Sequence, residues 1–385
     1  MMSISGVSVA PIERTRTSED DFYRPGLDIL RALAFLLVFI AHGLVWDLDK
    51  PTQIGRIGRA GEFGVCIFFF LSSYLITELL LREKRDTDTV LVPAFYVRRI
   101  LRIWPLYFAM IAVGFLYGLF SPTHTVSLAW GLSLMLLFTN WYSAGHGYPP
   151  GFLFPLWSIS LEEQFYLLWP WLAKRLGSEA LLGISGLLMT GAYLTLFILL
   201  RRGQPLDPVV WVNSLVQFQF FALGTMAAIL LRGRVPNLPK VVRWGLFIGG
   251  LLCLRAAQAA VCGADPVLPH NFAHIAPRYL IVLLGCLCLF FSCLQLTAGR
   301  WQKPLIYLGK ISYGLYVFHV LCLGISRDLI RRLTSGHLTP LASQLCAMTV
   351  ALPATIATAM LSYRYLESPF LRFKKRFAVV RSRPM

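Results

Sequence analysis

Pro25-Gly26-Leu27-Asp28-Ile29-Leu30-Arg31-Ala32-Leu33-Ala34-Phe35-Leu36-Leu37-Val38-Phe39-Ile40-Ala41-His42-Gly43-Leu44-Val45-Trp46 is the stretch whose reading decides the fold. Its apolar run, 27–46, rises about 1.5 Å per residue as a helix and so crosses the roughly 30 Å hydrocarbon core of a bilayer. A polar stretch with Glu13, Arg14, Arg16, Glu19, Asp20 and Asp21 precedes it. Trp46-Asp47-Leu48-Asp49 follows, where a cleavable signal peptide would carry small residues, so the run reads as a retained first membrane helix. The whole chain of 385 residues repeats this character: 56% is hydrophobic and only 14% charged, against roughly 25% charged in soluble domains. That excludes a water-soluble enzyme.

Nine further apolar stretches have spanning length, near 63–81, 103–120, 156–173, 180–200, 209–231, 241–261, 279–296, 305–325 and 341–361. The expected fold is therefore all-α, a polytopic membrane helix bundle of about ten helices. Lys and Arg number 36 against 19 Asp and Glu, a net charge of +17. The excess is clustered between apolar runs: Arg82, Lys84, Arg85, Arg98, Arg99 and Arg102; Arg232, Arg234, Lys240 and Arg243; then Arg364, Arg372, Lys374, Lys375, Arg376, Arg381 and Arg383. This is the pattern of cytoplasmic loops facing anionic lipid, not of nucleic-acid binding. Placing all three clusters inside puts both termini in the cytoplasm, provided that 128–141 does not span and is instead a re-entrant or interfacial segment. The uncharged region 121–154, with Trp130, Trp141, Tyr142 and Tyr148, suits an outer-face lid. Arg201, Arg202, Arg327, Arg331 and Arg332 fall on the outer side, against the rule. The expected division is a cytoplasmic tail at 1–26, the membrane domain at 27–363 and a basic cytoplasmic tail at 364–385. The eight cysteines have neither disulfide nor metal-site spacing, and Cys262 reads as a loop residue.

Ionisable residues inside membrane helices are costly and mark function. Arg31 and His42 are eleven positions apart, which leaves them about 20° apart around a helix and about 16 Å apart along it. They share a face, with Arg31 near the cytoplasmic surface and His42 deep. The structural alternatives are a snorkelling anchor and a hydrogen-bonded core histidine. Leu161-Glu162-Glu163-Gln164-Phe165-Tyr166 supplies two carboxylates; Glu162 shares a face with Tyr166 and is the expected working acid, whereas Glu163 suits a solvated helix start. Arg99 and Arg102 also share a face, and paired guanidiniums grip phosphates bidentately, although they equally suit positive-inside anchoring. Tyr316 and His319 read as an inter-helix hydrogen bond. A bis-histidine haem through His42 and His319 has no second pair at helical spacing and is set aside.

Taken together, six stretches resemble the acyltransferase family 3 membrane proteins, bacterial inner-membrane O-acyltransferases that modify surface polysaccharides and related acceptors. They are Tyr23 to His42, Gly64 to Ile76, Arg99 and Arg102 with Pro105, Trp157 to Tyr166, Gly309 to His319, and Tyr363 to Phe370. Cys66 stands where the family often has an acidic residue and Ser73 where it usually has glycine. An extracytoplasmic esterase-like domain carried by some members is not among these segments.

The resemblance implies transfer of an acyl group, expected to be acetyl, from cytosolic acyl-CoA to a hydroxyl. The acceptor would be a saccharide, a lipid-linked glycan or a small hydroxylated molecule. It implies His42 as general base, or as the site of an acyl-histidine intermediate, with Glu162 and Tyr166 assisting and Arg31, Arg99 and Arg102 binding the donor. No permanently bound cofactor, metal or nucleic acid is expected, and the location is the inner membrane, among its lipids. The competing class is a carrier or flippase, in which the same intramembrane charges would line a transport path.

Overall fold

The computed structural model describes residues 23–45, 58–120, 125–262, 271–374 and 377. The expected terminal tails, 1–26 and 364–385, lie partly outside these residues. Among the described residues there is no strand, and ten helices are long: α1 (Pro25–Val45), α2 (Gly64–Thr87), α3 (Val92–Phe120), α4 (Leu156–Arg175), α5 (Ser178–Arg201), α6 (Ser214–Leu231), α7 (Lys240–Cys262), α8 (Phe272–Leu294), α9 (Ser312–Leu333) and α10 (Pro340–Ser362). Nine of them are long and apolar enough to cross a membrane. The exception is α4, of comparable length but carrying Glu162, Glu163 and Gln164. The protein is a multi-pass membrane helix bundle.

Helix α2 runs through the middle and packs against α1, α4, α6 and α8. Its Phe69 and Phe70 meet Trp157, Phe221 and Phe290 in a buried aromatic core. Helices α5, α7 and α10 instead expose Leu187, Leu194, Ile248, Leu252 and Leu361, the apolar side chains that hydrocarbon accepts.

The basic clusters gather at one end. Lys84, near the end of α2, donates to the carbonyls of Ala173, Lys174 and Leu176 at 3.0, 3.1 and 2.8 Å, capping α4. Arg98 pairs with Glu83 at 2.9 Å and donates to the Phe377 carbonyl at 2.6 Å. Arg24 donates to the carbonyl of Gly233, just past α6, and Arg243 to that of Ser292 in α8. The termini of α1, α2, α3, α4, α6, α7 and α8 thus converge on one face of the bundle.

Several boundaries differ from expectation: α2 runs on to Thr87, α6 starts at Ser214, α8 starts at Phe272, and three further differences bear on residues singled out above. Helix α3 begins at Val92, not near 103, so Arg98, Arg99 and Arg102 are helical; Glu83 satisfies Arg98 and accepts from the Leu91 amide at 2.8 Å, so charge does not end the helix. The expected span 305–325 is broken. Lys303–Lys310 is a separate helix lying across α1, where Gly309 sits so close to the Asp28 carbonyl that any Cβ would collide with it. The chain turns at Ile311 before α9 starts. Cys262 ends α7 and is not in a loop.

The segment 128–141 does not span. It forms two eight-residue helices, Leu128–Met135 and Thr139–His146, joined by a turn at Leu137 (φ 56°). Asn140 is buried and donates to the Val212 carbonyl (3.1 Å) and Ser214 Oγ (2.8 Å), while Gln164 Nε2 donates to Asn140 Oδ1 at 2.8 Å. Non-spanning backbone is tolerated at depth when protein groups satisfy it.

Candidate active site

His42 is half-buried one turn before the end of α1. Its Nδ1 lies 2.7 Å from Nε2 of His319 on α9, with the rings stacked at 5.0 Å. His319 is fully buried, and its Nδ1 lies 2.5 Å from the Tyr316 carbonyl. A carbonyl only accepts, so His319 Nδ1 carries a proton. With both imidazoles neutral, His319 Nε2 then holds a lone pair, His42 Nδ1 donates to it, and His42 is left with its basic lone pair on Nε2. The chain of acceptors sets the tautomer without any charge. The 2.7 Å separation is a direct hydrogen bond; a metal held between the two nitrogens would need roughly 4 Å, two bonds of about 2 Å. Arg327, anomalous by charge, donates to the His42 carbonyl at 2.7 Å and so caps the last turn of α1.

A second group lies on α1 to α4, nearer the basic end. Glu162 accepts from Ser72 Oγ at 2.8 Å and lies in the field of Arg99 and Arg31. Tyr166 is buried, and the Arg99 guanidinium sits 5.4 Å from its ring centroid and equally far from Phe95. Arg99 Nε is buried without a hydrogen-bond partner. Arg31 pairs with Asp28 at 3.1 Å. Arg102 faces Glu367, whose carboxylate also accepts from Ser362. Glu163 accepts from Trp104 Nε1 at 3.4 Å. Glu162, Tyr166, Arg99 and Arg31 therefore form one cluster, Arg102 leans towards the 363–367 turn, and His42 sits apart with His319.

Polar steps connect the two groups. Tyr316, one turn before His319, donates to Ser158 Oγ at 2.8 Å, while Ser158 donates to the Pro155 carbonyl at 3.0 Å. Ser158 is one turn from Glu162 on α4. On α2, Phe68 packs on Tyr316 (5.8 Å) and Ser72, one turn on, bonds Glu162.

Towards the 148–154 segment, His42 meets Phe154 edge-on at 5.4 Å, Phe154 packs on Tyr148 at 4.4 Å, and the Tyr148 hydroxyl donates to Asp207. Burial raises the Asp207 carboxyl above its ordinary range, and burial together with the Asp207 charge raises the Tyr148 phenol.

The sequence reading missed the pairing of His319 with His42 as well as Ser72 and Ser158. Residues 277 apart on different helices share no spacing signal; polar groups at membrane depth are the only hint. Its two departures have local explanations. Ser73 donates to the Phe70 carbonyl at 3.0 Å and fills space against Gly224 of α6, where a Cβ would meet its hydroxyl. Cys66 lies one turn after Glu62, and both feel Arg278, so a carboxylate reaches that arginine from 62.

No solved structure matches this chain. Peptidoglycan O-acetyltransferase OatA of Listeria monocytogenes is 27% identical over 383 residues, 92% of this chain and 58% of that protein. "Putative peptidoglycan O-acetyltransferase YrhL" of Bacillus subtilis is 27% identical over 386 residues, 93% of this chain and 57% of that protein. The chain thus spans less than two thirds of the length of these relatives. Residues 24–363 match the family described as acyltransferase domain. That match takes in every long helix described above, and the chain belongs to acyltransferase family 3.

Proposed function

We propose that the protein is a membrane O-acetyltransferase that uses acetyl-CoA as donor and a saccharide hydroxyl as acceptor. It would sit in the plasma membrane, with both termini and the basic end in the cytoplasm. The observation that carries this reading is the His42, His319 and Tyr316 carbonyl chain, which leaves a basic nitrogen, Nε2, on a half-buried imidazole.

The acceptor O–H gives its proton to His42 Nε2 as its oxygen attacks the thioester carbonyl. The C–S bond breaks, and the CoA sulfur takes the proton back from the imidazolium, so ester and free thiol are the products. His319 is the positioning residue for that base. The donor's phosphates are met by Arg99, with Arg31 and Arg102 adding positive charge at the basic end. Glu162 and Tyr166 fix the Arg99 guanidinium and line the route inwards. The names of the relatives support peptidoglycan-type glycan as the acceptor class.

The test is direct. Membranes carrying the protein, incubated with [14C]acetyl-CoA and isolated glycan strands, should place label in the glycan. A carrier would place none in any acceptor, and that result contradicts the proposal.

A further inference from the structure

Beyond the two groups above, a third polar cluster sits beneath the lid. Glu62 lies within Coulombic range of Arg278, Asp207 and Arg59. It is carried by the turn Ala60–Phe63, which lies directly on α1: any Cβ at Gly61 would collide with the Leu37 carbonyl, five residues before His42. The Arg278 guanidinium lies 5.1 Å from the Phe63 ring centroid, donates to Gln258 at 3.0 Å, and has a buried Nε without a partner. Phe63 packs on Trp211 at 6.1 Å. Gln217 is fully buried; its Nε2 donates to the Trp211 carbonyl at 2.6 Å, while its Oε1 has no partner. The lid's Tyr148 closes the cluster by bonding Asp207.

Structural packing alone does not account for this set. Two carboxylates and an arginine have been brought together from a turn, a loop and α8, with unmet hydrogen-bonding capacity on Arg278 and Gln217, and walled by aromatic rings. Leaving buried polar atoms unpaired is costly to the fold. With Arg59 also within range of Glu62, the two carboxylates are set against two arginines, which disfavours a strongly charged ligand. Carboxylates accept from neighbouring hydroxyls, guanidinium and amide groups serve ring oxygens and acyl carbonyls, and flat aromatic faces take the C–H face of a sugar ring.

We infer that Glu62, Asp207 and Arg278, walled by Phe63, Trp211 and Tyr148, form the acceptor subsite and select a neutral polyhydroxylated ring. This rests on the acyl-transfer reading and deepens it by assigning acceptor choice to residues that touch neither the donor cluster nor His42. Phe154, in contact with both Tyr148 and His42, is the seam across which the acceptor hydroxyl is presented.

Chitotetraose, a neutral chain of four N-acetylglucosamine rings, is the probe. Detergent-purified wild type, Glu62→Gln and Asp207→Asn are titrated with it by tryptophan fluorescence, and the same proteins are assayed for [14C]acetyl transfer to it. The expected result is at least a tenfold rise in both Kd and KM for chitotetraose in each isosteric variant, with the KM for acetyl-CoA kept within twofold. Wild-type Kd and KM in both variants would overturn the subsite. So would an equal rise in the acetyl-CoA KM, or failure of the wild type to bind the probe. Binding that is lost in the variants without acetyl transfer by the wild type would uphold the subsite and sink the transferase reading instead.

Discussion

The two polar groups of this bundle, the Glu162–Arg99 cluster and the His42–His319 pair, are held together in different ways. At the basic end three buried or part-buried carboxylates are answered by a cation or a hydrogen-bond donor: Glu83 by Arg98, Asp28 by Arg31, Glu162 by Ser72 and Arg99. Nearer Phe154 the pair proposed to do the proton transfer is His42 and His319, two imidazoles aligned by a backbone carbonyl rather than by an ion pair. The contrast fits the task proposed for each. A phosphate-bearing donor needs fixed positive charge where water can still reach, whereas proton transfer at depth needs a base that is not already an imidazolium. Polar bridges through Ser158 and Ser72 keep the layers in register without merging them.

The comparison breaks most easily at His42. His42→Ala should lower acetyl transfer by about 10²–10⁴-fold, the usual contribution of a general base, with protein level in membranes unchanged on immunoblots; full activity would remove the division of labour. His319→Gln should cost roughly 10²-fold in kcat, because the amide is no longer held by the Tyr316 carbonyl and can turn either its oxygen or its NH2 to His42, so the His42 tautomer is no longer fixed. Arg99→Ala should raise the KM for acetyl-CoA roughly tenfold or more, corresponding to loss of about 1.5–3 kcal/mol of charge-assisted hydrogen bonding. The smallest effect is expected of Ser72→Ala: one hydrogen bond to Glu162, worth about 0.5–1.5 kcal/mol, or a few-fold in kcat/KM from steady-state rates.

The apolar runs made the fold legible, because hydrocarbon thickness sets helix length whatever the tertiary contacts. The start of α3 was hidden since Arg98 looks like the end of a membrane segment until Glu83 is seen beside it. The break at Ile311 depends on Gly309 touching Asp28 of another helix, which no local pattern encodes. In the candidate site His42 and Glu162 stood out as ionisable groups within apolar runs, Tyr166 by sharing a face with Glu162, and Arg31 and Arg99 as cations at the cytoplasmic boundary. Their grouping did not: Arg99 joins Glu162 and Tyr166, and the partner of His42 comes from 277 residues away. Glu62, Asp207 and Arg278 carried no signal, because a turn, a loop and a helix meet there only after folding.

Side-by-side steady-state kinetics of Arg99→Ala and His319→Gln, with acetyl-CoA varied at saturating glycan, test the separation of layers most directly. The account predicts a split: Arg99→Ala raises the acetyl-CoA KM and keeps kcat within a few-fold, while His319→Gln lowers kcat and keeps that KM. If both variants move the same parameter to the same extent, the two layers are one site and the account is contradicted.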